Sequence, residues 1–319
     1  MCSATEGNTM SQAHPPFATG TLDRDAATRH TPELLRAAWA DPQARVLQLS
    51  GAEIPVVTDS TGTVQLVLVP TEGDFSPQGQ GSAVGHVYVG RSDDGPVFAM
   101  ARPSDQEIDA ESVTWRHPFE VGSALSEVEC EIVVVASALL RWHEAAEYSP
   151  TDGSATVPEL GGWGRREARG GELFPRTDPA VIVLVEHENR VLLGSNALWE
   201  TGRFSLLAGF VEAGESLEQT VRREIFEEAG VRLGEIAYVA SQPWPFPRSL
   251  MVGFRAQLAP GWDPENLNPD IEEISELRWF TRDELRAPAP GLRFPMPMSI
   301  ARWMIDAWVD EGDARGRRH

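Results

Sequence analysis

Apolar residues run along this chain in two rhythms. From Arg45 to about Ile132 they form short runs cut by turn residues: Val46–Leu49, Val64–Val69, Val87–Val89 and, after Asp93-Asp94-Gly95, Val97–Met100. Runs of strand length between turns predict a β-rich domain, and Cys130 in Val-Glu-Cys-Glu-Ile-Val reads as a small core residue of its last strand. Thr31-Pro32-Glu33 opens a short helix before it, since proline suits a first turn where no N–H is needed. Ser137 to Tyr148 turns helical, with Leu139, Leu140, Trp142 and His143 at the right spacing, and His143 reads as a packed or solvent-tipped residue. Between Ser149 and Pro175 periodicity gives way to Gly, Pro, Arg and Glu, which marks a domain junction. Strand-like runs return at Val181–Val185, Val191–Leu193, Phe204–Leu207, Ile236–Ala240 and Leu250–Leu258, and a last helix is expected at Ser299–Val309. Strands on both sides of helices predict an α+β fold or an αβα sandwich.

One helix breaks the usual separation of polar and apolar faces. Ser216 and Gln219 form a capping-box pair that starts it, and Gly230 supplies a left-handed stop. At about 100° per residue, Glu224 and Glu228 fall on the same stripe as Leu217, Val221 and Ile225, while Glu227 flanks them. A solvated face with an Arg223–Glu227 pair accounts for Glu227. It does not account for two like charges one turn apart that point toward the core. A hard divalent cation removes that repulsion and uses the acids as oxygen ligands.

Composition narrows the classes. The 27 basic and 48 acidic residues give a net charge of −21, against broad nucleic-acid binding, although Arg165, Arg166 and Arg169 could form a local phosphate-facing patch. Every basic residue is Arg, a whole-chain bias that reads as coding preference. Two cysteines, Cys2 and Cys130, cannot build a four-thiolate zinc site or a disulfide framework. No apolar run is long enough for a membrane helix, and no secretory pattern opens the chain, so a cytoplasmic location is expected.

The acid helix lies within a longer pattern: Gly209, Glu215, Arg223-Glu224-Ile225, Glu227-Glu228 and Gly230-Val231, at the spacings of the Nudix box. The chain therefore resembles the Nudix hydrolases, which implies an α+β chain with a C-terminal Nudix αβα sandwich after the smaller β-rich domain. That resemblance implies Mg²⁺ or Mn²⁺ held by Glu224, Glu227, Glu228 and the Ala208 carbonyl, with Glu273 as an additional acid. It also implies Glu227 or Glu228 as catalytic base, and Arg223 as an orienter that pairs an acid such as Glu215.

Past the box the chain reads Ser241-Gln242-Pro243-Trp244-Pro245-Phe246-Pro247-Arg248-Ser249. Alternating prolines predict a stiff extended loop, and its aromatic rings with Gln242, Arg248 and Ser249 would make a wall for a base attached to phosphates. The segment matches the SQPWPFPxS motif of the NADH pyrophosphatase subgroup, also called NAD-capped RNA hydrolases. That likeness implies hydrolysis of NAD(H) to AMP and nicotinamide mononucleotide, and plausibly removal of an NAD cap from RNA, by a homodimer. Substrate contacts are expected from Pro243, Trp244, Pro245, Phe246 and Pro247, with Phe174, Phe210 and Ala301 as further candidates. ADP-ribose or a dinucleoside polyphosphate is the alternative substrate, and a silent NAD-binding scaffold the remaining one.

The expected organisation is a tail (1–20), a β-rich domain (21–135), a connector helix with a degenerate ribbon (136–176), a Nudix domain (177–311) and a tail (312–319). The family normally carries a four-cysteine zinc ribbon, but the matching positions here are Ser149, Asp152, Arg166 and Arg169. No zinc is expected, and Asp152 should instead accept hydrogen bonds from Arg166 or Arg169.

Overall fold

The computed structural model describes residues 13–102 and 113–316, with side chains as far as Gly312. The chain divides into two units: Thr19–Thr177 with Pro243–Ser249, and the described parts of Met1–Ala18, Asp178–Gln242 and Leu250–His319.

In the first unit α1 (Ala26–Arg29) and α2 (Pro32–Trp39) precede β1 (Arg45–Leu49), β2 (Ile54–Thr58), β3 (Val64–Leu66), β4 (Val69–Pro70), β5 (Val87–Ser92), β6 (Gly95–Ala101) and β7 (Thr114–Arg116). One sheet has the order β4-β1-β6-β5, with β1 and β6 parallel, and another the order β3-β2-β7. After α3 (Pro118–Val121) comes α4 (Glu127–Ala145), whose Ile132, Val133, Ala136 and Leu139 pack on Leu47, Val87, Val89 and Ala99.

Helix α4 corrects the expected strand. It begins well before Ser137, because Ser126 and Glu129 close a capping box, and the valine run that reads as β is buried on a helix face. Tertiary burial outweighs the weak strand preference of β-branched residues. Cys130 is accordingly a helix residue whose thiol donates to the Gly122 carbonyl at 3.3 Å.

The junction folds as a three-stranded sheet, β10-β9-β8, from β8 (Val157–Glu159), β9 (Gly164–Arg166) and β10 (Glu172–Leu173). Arg169 Nε lies 3.0 Å from Asp152 Oδ2 as an ion pair, so one of the two expected partners reaches the acid, while Arg166 pairs with Glu159 at 2.8 Å. The centre of this region is Arg165, 1% exposed. It donates to Thr156 Oγ1, the Thr156 and Ser82 carbonyls and His143 Nδ1.

The second unit comprises β11 (Asp178–His187), β12 (Arg190–Asn196), β13 (Leu207–Phe210), α5 (Leu217–Ala229), β14 (Leu233–Trp244), β15 (Ser249–Leu258), β16 (Ile274–Thr281), α6 (Arg282–Arg286) and α7 (Ile300–Gly316). The sheet order is β14-β15-β11-β12-β16, with β13 on β11. Val181, Val183 and Val185 meet Val221, Ile225 and Ala229 of α5, whereas Ile182 and Leu184 meet Ile300, Met304 and Trp308 of α7. Both faces of β11 are covered, which is why its run is apolar without interruption.

Three boundaries differ from expectation. Strand β13 starts at Leu207, and Phe204 is a buried residue on the α7 side of the sheet. Helix α7 continues past Val309 to Gly316, so most of the tail expected at 312–319 is helix, and 317–319 lie outside the described residues. Residues 1–12, with Cys2, are also outside, but Pro15 and Phe17 are buried, which corrects the tail reading there. Among the described residues no helix is long and apolar enough to cross a membrane.

Candidate active site

Helix α5 is fixed at both ends by the residues its sequence suggests. Ser216 Oγ accepts from the Gln219 amide at 3.3 Å, Gln219 Oε1 accepts from the Ser216 amide at 2.8 Å, and Gly230 adopts φ 69°. The helix then buries Val221, Ile225 and Ala229 against the sheet, and Glu228 goes in with them at 8% exposure. Glu224 keeps 13% of its side chain exposed and Glu227 keeps 54%, so two acids face inward and one outward.

Arg223 ties the acids together. Its Nε and Nη2 donate to the two Glu215 oxygens at 2.7 and 2.8 Å, and Nη1 lies 2.9 Å from both Glu224 and Glu227. Nη2 also donates to the Phe210 carbonyl at 3.0 Å, anchoring the helix to the end of β13. These hydrogen bonds hold the Glu215 carboxyl down at about 2, Arg223 being the largest cause, and raise the pKa of Arg223 itself. Arg223 is thus engaged by three carboxylates, among them Glu215, the acid that the resemblance names as its partner.

Glu228 has the opposite environment. Burial pushes its pKa up to about 8, with the charges of Glu224, Glu273 and Glu227 adding to the effect and a hydrogen bond from the Ala208 backbone opposing it. Glu224 is raised too, first by burial. Glu228 Oε2 is buried and has no hydrogen-bond partner among the described residues, an arrangement that costs about 1–3 kcal/mol or more for a charged group. Gly209 makes the close approach possible: a Cβ there would lie 2.0 Å from the Glu224 carboxyl. Glu273 is exposed, its backbone carbonyl accepting from the Ala197 amide at 2.7 Å, and its charge acts on both Glu224 and Glu228.

The proline-aromatic segment is only partly a loop. Ser241 to Trp244 complete β14 and Ser249 opens β15, with a turn between them, and Pro243 is tolerated because β14 is an edge strand. In the unit to which Pro243–Ser249 belong, the Trp244 ring stacks on Phe119 at 4.7 Å, and Phe246 meets the same ring edge-on at 4.8 Å. His117 lies 5.5 Å from Phe246. Phe119 and His117 carry no signal in the sequence, because only the fold brings them to the segment.

Gln242 corrects its expected role. It is fully buried, donating to the carbonyls of Pro16 and Met298 at 2.7 and 2.8 Å and accepting from the Ile300 amide at 2.8 Å. Its amide nitrogen and its oxygen are all engaged by the protein in a fully buried position, so it braces the start of α7. Ala301, 3% exposed in the α7 core, and buried Pro245 likewise offer no side-chain surface to a substrate. Phe174, Phe210, Pro247 and Arg248 are exposed.

The NUDIX domain pattern matches residues 176–301. The chain is 45% identical over 240 residues to the NAD-capped RNA hydrolase NudC of Mycobacterium bovis, covering 70% of this chain and 75% of the relative. The chain belongs to the Nudix hydrolases, in the NADH pyrophosphatase and NAD-capped RNA hydrolase subgroup. The NAD-capped RNA hydrolase NUDT12 of Homo sapiens is 32% identical over 298 residues, 86% of this chain and 63% of that protein. Among solved structures, a NUDIX hydrolase from Nitrosomonas europaea aligns with a TM-score of 0.42 at 25% identity, covering 52% of this chain and 93% of that one.

Nudix hydrolases generally use divalent metals such as Mg²⁺ or Mn²⁺. In this Nudix hydrolase no three His, Cys, Asp or Glu side chains among the described residues already converge in an arrangement that could hold an ion. The donor set nevertheless suits one: hard carboxylate oxygens, a buried oxygen without a partner, and mutual repulsion that a cation would cancel. Arg223 now occupies part of that role by bonding Glu224 and Glu227.

Proposed function

We propose that this Nudix hydrolase cleaves the diphosphate of NAD(H) to give AMP and nicotinamide mononucleotide, and removes the NAD cap from RNA. The observation that carries the chemistry is the partnerless, buried Glu228 oxygen beside Glu224 on α5. The substrate follows from the SQPWPFPxS segment and from the relatives named above. Glu224, Glu227, Glu228 and the Ala208 carbonyl would hold Mg²⁺ or Mn²⁺, with Glu273 as a further acid. When bound, such a cation neutralises phosphate oxygens and acidifies water.

The protein's own groups do the rest. Arg223 keeps Glu215, Glu224 and Glu227 in register, and Glu227 or Glu228 takes the proton of the attacking water, which forms a bond to phosphorus as the bridging oxygen departs with one mononucleotide. Trp244 and Phe246 offer ring faces to a base or nicotinamide, with Pro243, Pro247, Arg248 and Ser249 around them. Phe174 and Phe210 are exposed rings suited to the same use. The reading includes a homodimer, on the strength of the subgroup resemblance.

Side-by-side kinetics on NADH, NAD⁺, ADP-ribose and NAD-capped RNA, with Mg²⁺ and with Mn²⁺, test this. Release of AMP and nicotinamide mononucleotide with higher kcat/KM on NAD substrates than on ADP-ribose is expected. A preference for ADP-ribose, or equal turnover in EDTA, would refute the assignment.

A further inference from the structure

A pocket of about 370 Å³ opens in the first unit, between the two N-terminal helices and the junction sheet, and nothing in the proposed reaction uses it. Its walls include Leu35, Phe75, Pro77 and Gly161, and Arg29 and Arg36 are also among the lining residues. The volume is within the range of small-ligand pockets. Apolar walls with an aromatic ring suit a flat base, and arginines suit a phosphate.

The cations are not fully satisfied by the protein. Arg29 lies over the Trp163 ring at 4.2 Å, and its Nε is buried without a hydrogen-bond partner among the described residues. Asp25, whose charge reaches Arg29, accepts from the Tyr88 hydroxyl at 2.8 Å. Arg36 pairs with Glu33 at 2.9 Å, but both side chains are well exposed, and such pairs are worth about 0–1 kcal/mol, so the guanidinium can exchange this partner for a phosphate. Glu159, at the rim, is engaged by Arg166. In a chain of net charge −21, cations left with so little compensation mark a place for an anion.

We propose that this pocket binds a nucleoside monophosphate unit, with its base against Phe75 and Leu35 and its phosphate on Arg29 and Arg36. Two sources carry that chemistry: a nucleotide of an RNA substrate, an assignment that rests on the function proposed above, and a free mononucleotide.

Equilibrium dialysis of labelled AMP against the full chain in EDTA addresses the pocket without catalysis. Arg36→Ala and Arg29→Gln should each weaken AMP binding at one site by about fivefold or more, or about 1 kcal/mol. Arg36 is exposed, so its loss leaves folding intact, and far-UV circular dichroism controls for Arg29. If RNA is the source, Arg36→Ala also raises KM for a short NAD-capped RNA by about fivefold while KM for NADH stays put. If the source is a free mononucleotide, AMP affinity alone falls. Unchanged AMP affinity together with an unchanged KM for capped RNA would overturn the proposal. A chain inactive on every NAD substrate would defeat the reading of α5, yet the dialysis would still decide the pocket.

Discussion

Glu228 shows how a single residue can be costly for the fold and suited to chemistry. It sits on the apolar stripe of α5 with one oxygen unpartnered, and burial raises its pKa to about 8. Glu228→Gln keeps nearly the same volume, so the melting temperature should hold or rise, while turnover falls by about two orders of magnitude or more. Near-wild-type turnover at saturating Mg²⁺ would place the essential acid elsewhere. Gly209 is a second residue whose identity is set by contact. Its backbone conformation is ordinary, but a methyl group there would overlap the Glu224 carboxyl. Gly209→Ala should therefore lower kcat and weaken Mg²⁺ dependence together, read from turnover against metal concentration, and a variant with wild-type metal response would show that Glu224 can move aside without consequence.

At the level of elements, the β14–β15 hairpin and α4 make two different predictions. The Trp244 ring stacks on Phe119 and meets Phe246 edge-on, contacts that fix the indole which the proposed reading assigns to substrate stacking. Trp244→Ala should cost about 1–3 kcal/mol of binding, seen mainly in KM, and more for NADH than for ADP-ribose, which lacks the nicotinamide ring. Equal losses on both would assign the tryptophan to the hairpin or to the shared adenosine. In α4, Arg165 donates to His143 Nδ1 at 2.8 Å and His143 Nε2 lies 2.8 Å from the Gly162 carbonyl, so the imidazole is held neutral. Burial, more than the charge of Arg165, lowers its pKa to about 4. The unfolded chain takes up this proton near pH 6.5 and the folded chain only near 4, so stability is full above 6.5 and declines as pH falls between the two values. Urea unfolding at pH 7.5 and 5 should show the decline, and His143→Asn should flatten it.

For the whole molecule, the subgroup resemblance predicts a dimer, so light scattering in solution should give twice the mass of one chain, and a monomer that is fully active would end that expectation. How much of this was legible beforehand follows from the range of the forces involved. Local patterns are written in sequence order, so the capping of α5, its glycine stop, the inward turn of Glu224 and Glu228, and the buried β11 could be read from spacing alone. A partner for Asp152 among Arg166 and Arg169 followed from the family resemblance, which puts these residues where ribbon thiolates would converge, and the fold chose Arg169. Long-range packing has no such record. The valines of α4 read as strand until the sheet of β1, β5 and β6 is seen to bury them, and Gln242 reads as a substrate contact until Pro16, Met298 and Ile300 are found to consume its hydrogen bonds. Phe119 under Trp244 and the buried Arg165 beside His143 belong to the same class. The sequence determined which residues could do chemistry, because ionisable groups and helical spacing are local properties. Only the tertiary structure decided which of them remain accessible, because burial and hydrogen-bond satisfaction depend on neighbours that the chain supplies from far away.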